Sequence, residues 1–271
     1  MRTMSSHELR DLVRDIATEA ATLARTRREE GVSIAASKSS PEDVVTAADR
    51  EVEAFIRGRI SELRPADGFF GEESGAEKGS SGLTWVVDPI DGTVNYLYGI
   101  PNYAVSIAVV EGEPDPATWT ALAGAIVNPA AGETYEVGRN EGATLNGVTL
   151  FREAHVEVPL ALLSTGFSYS AERRMWQTGI MQQMMGRVRD YRRMGAASLD
   201  IVSVPAGRAD AYYEVGTKPW DHAAGVLIAR EAGIRVEGLH GSPAGAEMVL
   251  AALPGLFEPI HDLLVEFGAE G

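Results

Sequence analysis

Apolar positions near the start of the chain recur at steps of three and four, the spacing that places side chains on one face of a helix. Leu9, Leu12, Val13, Ile16, Ala20, Leu23 and Ala24 form one such stripe, with Ser5 three residues before Glu8 as a capping box and Gly31 past the end. A second stripe, Ala48, Val52, Phe55, Ile56, Ile60 and Leu63, is approached through residues 41–46 and broken by Pro65. From Phe69 to about Leu150 the rhythm shortens to β-rich runs bounded by Gly, Pro or Asn, at 85–87, 103–110, 121–127 and 133–137, which predicts an antiparallel sheet. Beyond about Ala154, strand patterns near 161–166, 211–215 and 248–252 alternate with helical patterns near 171–185, 196–204, 221–232 and 256–267. Alternation of that kind predicts a layered α/β half. The expected division is therefore 1–153, an α+β half, and 154–271, an α/β half, with a soft boundary near 151–158. No Pro, Gly or Ser linker separates them, so they are expected to pack as one unit. Residues 75–82, GAEKGSSG, read as a mobile loop.

At 271 residues the chain allows one large domain or two fused halves, at roughly 150 residues per domain, and its 45% hydrophobic content can supply a sizeable core. A formal net charge of −15 sets it against polyanions, which removes nucleic acid as principal ligand. With zero cysteines there are no disulfides, thiolate zinc sites, iron–sulfur clusters or cysteine nucleophiles, in keeping with a reducing compartment. The opening MRTMSSHELRDLVRD lacks the continuous apolar stretch of a signal peptide, and no run approaches the length of a membrane span. The expectation is a soluble cytoplasmic protein without a membrane or nucleic-acid partner.

The densest chemical signal is Trp85-Val86-Val87-Asp88-Pro89-Ile90-Asp91-Gly92-Thr93, an apolar strand running into two carboxylates and then a Gly-Thr helix start. Pro89 fixes φ and stops Asp88 from continuing the strand, so Asp88, the Ile90 carbonyl and Asp91 can converge as hard oxygen ligands. Such a donor set favours Mg²⁺ or Mn²⁺ over zinc. The exposed N–H groups of a helix starting at Gly92 and Thr93 suit phosphate oxygens. Asp-Pro and Asp-Gly are also ordinary turn chemistry. Likewise Phe69-Phe70-Gly71-Glu72-Glu73-Ser74 reads alone as an exposed acidic turn, and Lys218-Pro219-Trp220-Asp221-His222-Ala223-Ala224-Gly225 as an N-capping Asp before an Ala-rich helix.

Taken together, these three stretches resemble the inositol monophosphatase family of Mg²⁺-dependent, lithium-sensitive sugar phosphatases. The matching motifs are GEES at 71–74, WVVDPIDGTVN at 85–95 and WDHAAG at 220–225, in the family's order. Softer matches are residues 38–49, GATLNG at 142–147, RRMGAASLD at 192–200 and ADAYYEVG at 209–216, so the likeness runs from about residue 5 to 268. The resemblance implies a stacked αβαβα sandwich, with an antiparallel-rich N-terminal sheet and a mixed C-terminal one. It further implies that Glu72, Asp88 and the Ile90 carbonyl bind a first metal ion, and Asp88, Asp91 and Asp221 a second. A weaker third ion would lie near Glu72 and, through water, Asp49. Thr93, with Glu72 or with Asp49, would orient and deprotonate the attacking water, and the Gly92 and Thr93 N–H groups would hold the phosphate. Sugar hydroxyls would be read by Glu214, by backbone at Gly195 and Ala197, and by Asp91. A solvated strand-end acid is the plainer reading of Glu214.

Other conspicuous residues carry bland readings. Of the scattered histidines, His222 sits beside a motif but reads otherwise as a helix-surface residue, and it takes a place that is usually aliphatic in the family. The methionines at 175–185 with Trp176 and Met194 read as core or interface packing, and Arg192 and Arg193 as ion-paired or anion-binding. Val94, Ala196 and Ser198 also depart from the family pattern, around the sugar pocket rather than the phosphoryl chemistry. The expected activity is hydrolysis of a small phosphomonoester, foremost myo-inositol 1-phosphate. L-histidinol phosphate, fructose 1,6-bisphosphate and nucleotide 3′-phosphates are the rival substrates. A non-catalytic protein-binding regulator is the alternative of another class, and the family implies a homodimer.

Overall fold

Helix stripes and apolar strands must bury their apolar faces against one another, and here they do so in five alternating layers. The computed structural model describes residues 4–32, 34–37 and 44–270; residues 38–43 of the softer 38–49 motif lie outside these. In chain order the first half contains α1 (Ser6–Glu30), β1 (Ile34–Ser37), β2 (Val44–Thr46), α2 (Ala47–Leu63), β3 (Gly68–Gly71), β4 (Gly75–Glu77), β5 (Leu83–Asp91), α3 (Thr93–Tyr98), β6 (Ala104–Glu111), β7 (Thr120–Asn128), β8 (Glu133–Gly138), β9 (Gly142–Leu145) and β10 (Val148–Leu150). The second contains β11 (Leu162–Thr165), α4 (Ala171–Met184), β12 (Asp190–Arg192), α5 (Ala197–Ser203), β13 (Ala211–Glu214), α6 (Pro219–Glu231), β14 (Arg235–Glu237), β15 (Val249–Ala252) and α7 (Pro254–Glu266).

The large sheet has the order β10-β9-β8-β7-β6-β5-β3-β4 and is antiparallel except where β3 runs parallel to β5. One face carries α1 and α2, whose buried Val13, Ile16, Val52 and Ile56 pack with Trp85, Val87 and Ile107. The other face, with Val86, Ala108 and Ile126, meets α5 and α6. Both faces are therefore covered, which is why β6 reads as the apolar run AVSIAVV, broken only by Ser106. A five-stranded mixed sheet, β12-β11-β13-β15-β14, lies beyond α5 and α6, with α4 and α7 outside it. The result is an αβαβα sandwich.

Local rules account for the element ends. Ser5 and Glu8 cap α1 reciprocally and Gly31 ends it, as the spacing predicts. One expectation is corrected. Residues 75–77 are not loop but the edge strand β4, which pairs Phe69 with Glu77 and Gly71 with Gly75. The methionine segment is split: Met184 is fully buried under the second sheet, whereas Met175 and Met185 face outward. α6 is buried on every side from His222 to Ala229 because it is the central layer, and a helix in that position is apolar all round.

The first half is tied to the second beside the motif turn. Asn95 on α3 donates through Nδ2 to the Asn102 and Met194 carbonyls, both at 2.8 Å. Asn95→Ala leaves both acceptors without that partner, at a cost of about 1–3 kcal/mol. The check is urea unfolding, where the midpoint falls and the slope is unchanged.

Candidate active site

In a regular strand, residues three apart face opposite sides, so Asp88 and Asp91 would be separated by the sheet. A register shift prevents this: Asp88 pairs with Ser106 and Asp91 with Ala104, three residues against two. The bulge turns both carboxylates toward the α5/α6 side. Pro89 within it has no N–H to give the ladder. Asp88 Oδ1 accepts from the Ile90 N–H at 3.1 Å, and the two aspartates are 2% and 8% exposed.

The chain leaves the bulge through Gly92 in the left-handed region, φ 86°, where a Cβ would also fall 3.0 Å from the Asn102 carbonyl oxygen. Thr93 opens α3, and its hydroxyl lies 3.2 Å from Asp49 Oδ1 and 3.1 Å from the Ile90 carbonyl. Asp49 itself is the third residue of α2, where its carboxylate accepts from the Thr46 N–H at 2.8 Å and from the Thr46 hydroxyl. One buried acid thus caps a helix and holds the threonine. Glu72 follows β3, its N–H donating to the Val87 carbonyl at 3.2 Å, and its carboxyl hydrogen-bonds that of Asp88.

From the other side, α5 and α6 point their first turns at the same place. Asp91 accepts from the Ala197 N–H at 3.2 Å, from the Ser198 N–H at 2.7 Å and from the Ser198 hydroxyl. The Ala197 N–H, expected at sugar hydroxyls, is thus engaged with Asp91. Asp221 is not the N-cap but the third residue of α6, accepting from the Lys218 N–H at 2.6 Å. Glu214 ends β13 with Tyr212 donating to it at 2.8 Å, and Gly166 lies so close that a Cβ there would fall 1.9 Å from its Oε2. Its carboxylate is enclosed rather than a solvated strand-end group.

These groups share one cavity of about 370 Å³, with Glu72, Asp88, Asp91, Asp221, Glu214 and Gly195 on its walls and Arg173, Arg193 and Lys218 also in its lining. Burial, and then the charges of Glu72, Asp91 and Asp221, push the Asp88 carboxyl well above its usual range. Burial also pushes Asp221 well up, with Asp91 and Glu72 adding to it. Asp91 is raised by burial against the opposing Ser198 bonds, and Asp49 by burial against Thr46. Glu214 rises to about 7 through burial, with Asp91 adding and Tyr212 opposing.

Carboxyls crowded out of water with few cations among them either keep protons or share a bound cation. The donors are all oxygens, with no thiolate or imidazole in the lining, so the set fits hard divalent ions. A second group of metal-type side chains among the described residues, Glu258, His261 and Asp262 on α7, is already engaged: Glu258 with Arg235, and His261 with the His240 N–H and Asp262. A wider groove of about 770 Å³ along α1 contains Asp15, Glu19 and Glu136, each paired with an arginine.

Sequence reasoning missed Asp200. It lies on α5 at 2% exposure, lines the cavity, and neither carboxylate oxygen makes a hydrogen bond of acceptable geometry, although the Gly195 N–H acts on it. Burial, then Glu214 and Asp91, push it well up. The signal lay in the last letter of RRMGAASLD, to which no role was attached. Arg192 pairs with Asp190 at 2.8 Å, while Arg193 lines the cavity and lies over Phe167.

The inositol monophosphatase family model matches residues 5–265, and the chain belongs to that family. It is 41% identical to an inositol-1-monophosphatase of Mycobacterium leprae, over 96% of this chain and 94% of that one. It is 34% identical to the Nus factor SuhB of Escherichia coli K12, over 84% of each. Among solved structures, Mycobacterium tuberculosis SuhB superposes with a TM-score of 0.83 at 38% identity, covering 99% of this chain and 100% of that one. Membership of this family supports a phosphatase enzyme, and no helix among the described residues is long and apolar enough to cross a membrane.

The raised carboxyls set a pH dependence. In the metal-free fold they hold protons that the unfolded chain releases near pH 4, so the folded state binds more protons and stability falls as pH rises through that window. Glu214 titrates at about 7, so its share is lost as pH approaches neutrality. In EDTA the thermal midpoint is expected to fall between about pH 5 and pH 7.5, and Glu214→Gln to make that fall shallower. Differential scanning calorimetry across that range checks it.

Proposed function

We propose that the chain hydrolyses a small polyol phosphate, foremost myo-inositol 1-phosphate, in the cavity between the bulge of β5 and the first turns of α5 and α6. The observation that carries this is the convergence of Asp88, Asp91, Asp221 and Glu72 in one buried cavity beside the Gly92-Thr93 helix start. Glu72, Asp88 and the Ile90 carbonyl would hold one magnesium ion and Asp88, Asp91 and Asp221 another, with Asp49 and Glu72 near a third. When bound, such ions lower the pKa of the attacking water, neutralise phosphoryl charge and stabilise the leaving alkoxide.

The chain's own groups do the positioning. The Thr93 hydroxyl, donating to Asp49 Oδ1, turns a lone pair outward to accept from the attacking water. The water's proton passes to Glu72 or, through Thr93, to Asp49. The Thr93 N–H takes a phosphate oxygen, joined by that of Gly92 once it is released from Asp91, on which it acts here, and Arg173, Arg193 and Lys218 offset the acids around an anionic substrate. Glu214 and the backbone at Gly195 face the alcohol. A carboxylate there accepts from vicinal hydroxyls, and a substrate lacking them leaves it unpaired. Family kinship supports a homodimer, for which the outward-facing Met175 and Met185 are the candidate contact.

Asp88→Asn removes charge from both ion positions and is expected to lower turnover at least about a thousand-fold, several kcal/mol of barrier, at saturating Mg²⁺. Phosphate release from inositol 1-phosphate, L-histidinol phosphate and fructose 1,6-bisphosphate at equal concentration sets the substrate, with inositol 1-phosphate fastest. A histidinol phosphate rate far above the others overturns the polyol assignment. An inactive wild-type chain that captures a stable partner favours the regulator reading, which the name of the Escherichia coli relative motivates.

A further inference from the structure

A carboxylate is only as well placed as the peptide that carries it, and Glu72 is carried by a turn. β3 ends at Gly71 and β4 begins at Gly75, so residues 72–74 belong to no strand or helix. Their backbone donors must find acceptors elsewhere. The Glu72 N–H reaches the Val87 carbonyl on β5 at 3.2 Å. The next N–H, that of Glu73, is taken by a side chain of α2: Glu53 Oε2 accepts from it at 2.8 Å. Glu53 is 3% exposed, a burial that acids rarely show unless they are paired.

The turn is gripped by one face of α2. Arg50, Glu53 and Arg57 follow one another at steps of three and four, the spacing that aligns side chains along a helix. Arg50 Nε lies 3.9 Å from Glu73 Oε2, and Arg57 Nη1 donates to the Ser74 hydroxyl at 3.3 Å. Those two reach side chains from positions open to solvent, whereas Glu53 reaches backbone from the interior. The glycine that opens GEES follows from this contact. Gly71 is not in the left-handed region, but a Cβ there would run into Glu53 Oε2 and the Phe69 ring. One turn back along α2, Asp49 holds the Thr93 hydroxyl. A single helix therefore anchors both the Glu72 turn and the threonine that faces it.

We infer that Glu53 is a positioning residue for Glu72: by holding the Glu73 N–H it fixes the peptide between the two acids, and with it the direction in which the Glu72 carboxylate points toward Asp88. The requirement is for an acceptor on a side chain of this length, and not for one more charge near the cavity. A carboxylate oxygen or an amide oxygen meets it. A shorter acid does not, because removing one methylene withdraws the oxygen from 2.8 Å to beyond hydrogen-bonding distance. Groups that orient a metal ligand in this way are worth about ten- to a hundred-fold in metal affinity. The inference rests on the reading of the cavity as a divalent-ion site with Glu72 among its ligands.

The test is Mn²⁺ binding to the full-length protein, followed through the electron paramagnetic resonance signal of the free ion, in wild type, Glu53→Asp and Glu53→Gln, with thermal midpoints measured on the same samples. Glu53→Asp keeps the charge and loses the reach, and is expected to weaken Mn²⁺ binding about ten-fold. Glu53→Gln loses the charge and keeps the reach, and is expected to stay within about three-fold of wild type. If Glu53→Gln binds as weakly as Glu53→Asp, or more weakly, charge rather than reach is what matters and the inference is overturned. Unchanged Mn²⁺ affinity in Glu53→Asp overturns it as well, and a midpoint lowered at the same time marks a residue that serves stability alone. Wild-type protein that binds no Mn²⁺ removes the divalent-ion reading and this inference together, a result distinct from either of the others.

Discussion

One irregularity in hydrogen-bond register holds the site together. Without the extra residue between Asp88 and Asp91, the two carboxylates would lie on opposite faces of the large sheet, one among the α1/α2 contacts and one toward α5/α6. The bulge places both on the same face at the end of a strand buried along nearly its whole length, so neither side chain has solvent to retreat into. Charge crowding is a consequence of that geometry.

The central helical layer completes the arrangement. α5 and α6 are packed on both sides by sheets, which fixes where their first turns lie. Those turns supply N–H donors to Asp91 and Asp221, and α2 does the same for Asp49 through Thr46. Partial positive charge at helix starts favours the ionised carboxylates, while burial and mutual repulsion disfavour them. Burial, with repulsion added to it, wins for Asp88, which accepts a backbone bond from Ile90 but faces Glu72, Asp91 and Asp221. A site balanced in this way has a strong preference for added positive charge and little tolerance for losing an acid.

Much of this was legible in the residues and some was not. The helix stripes of α1 and α2, the strand into Asp88, and the alternation after residue 154 follow from local periodicity, and the structure has them within a few residues. Register is set by pairing partners distant in sequence, so neither the bulge nor the parallel β3–β5 pairing could be read from the motif alone. Residues 75–77 looked like loop because Gly and charge are common at sheet edges as well as in loops. Asp200 and His222 were missed for a shared reason: a polar letter in a helix reads as surface unless the helix is known to be buried on all sides, and that is a property of the layer order. The family likeness supplied the grouping of Glu72, Asp88, Asp91 and Asp221, which spacing alone left open between ligands and turns.

The most direct test of the central claim is anomalous diffraction from crystals soaked in Mn²⁺, an oxygen-seeking ion that reports its own position. Peaks are expected in the cavity at bonding distance, about 2.0–2.3 Å, from oxygens of Asp88, Asp91, Asp221 and Glu72. Peaks confined to the α7 surface group of Glu258, His261 and Asp262, with none between the β5 bulge and α6, would contradict it.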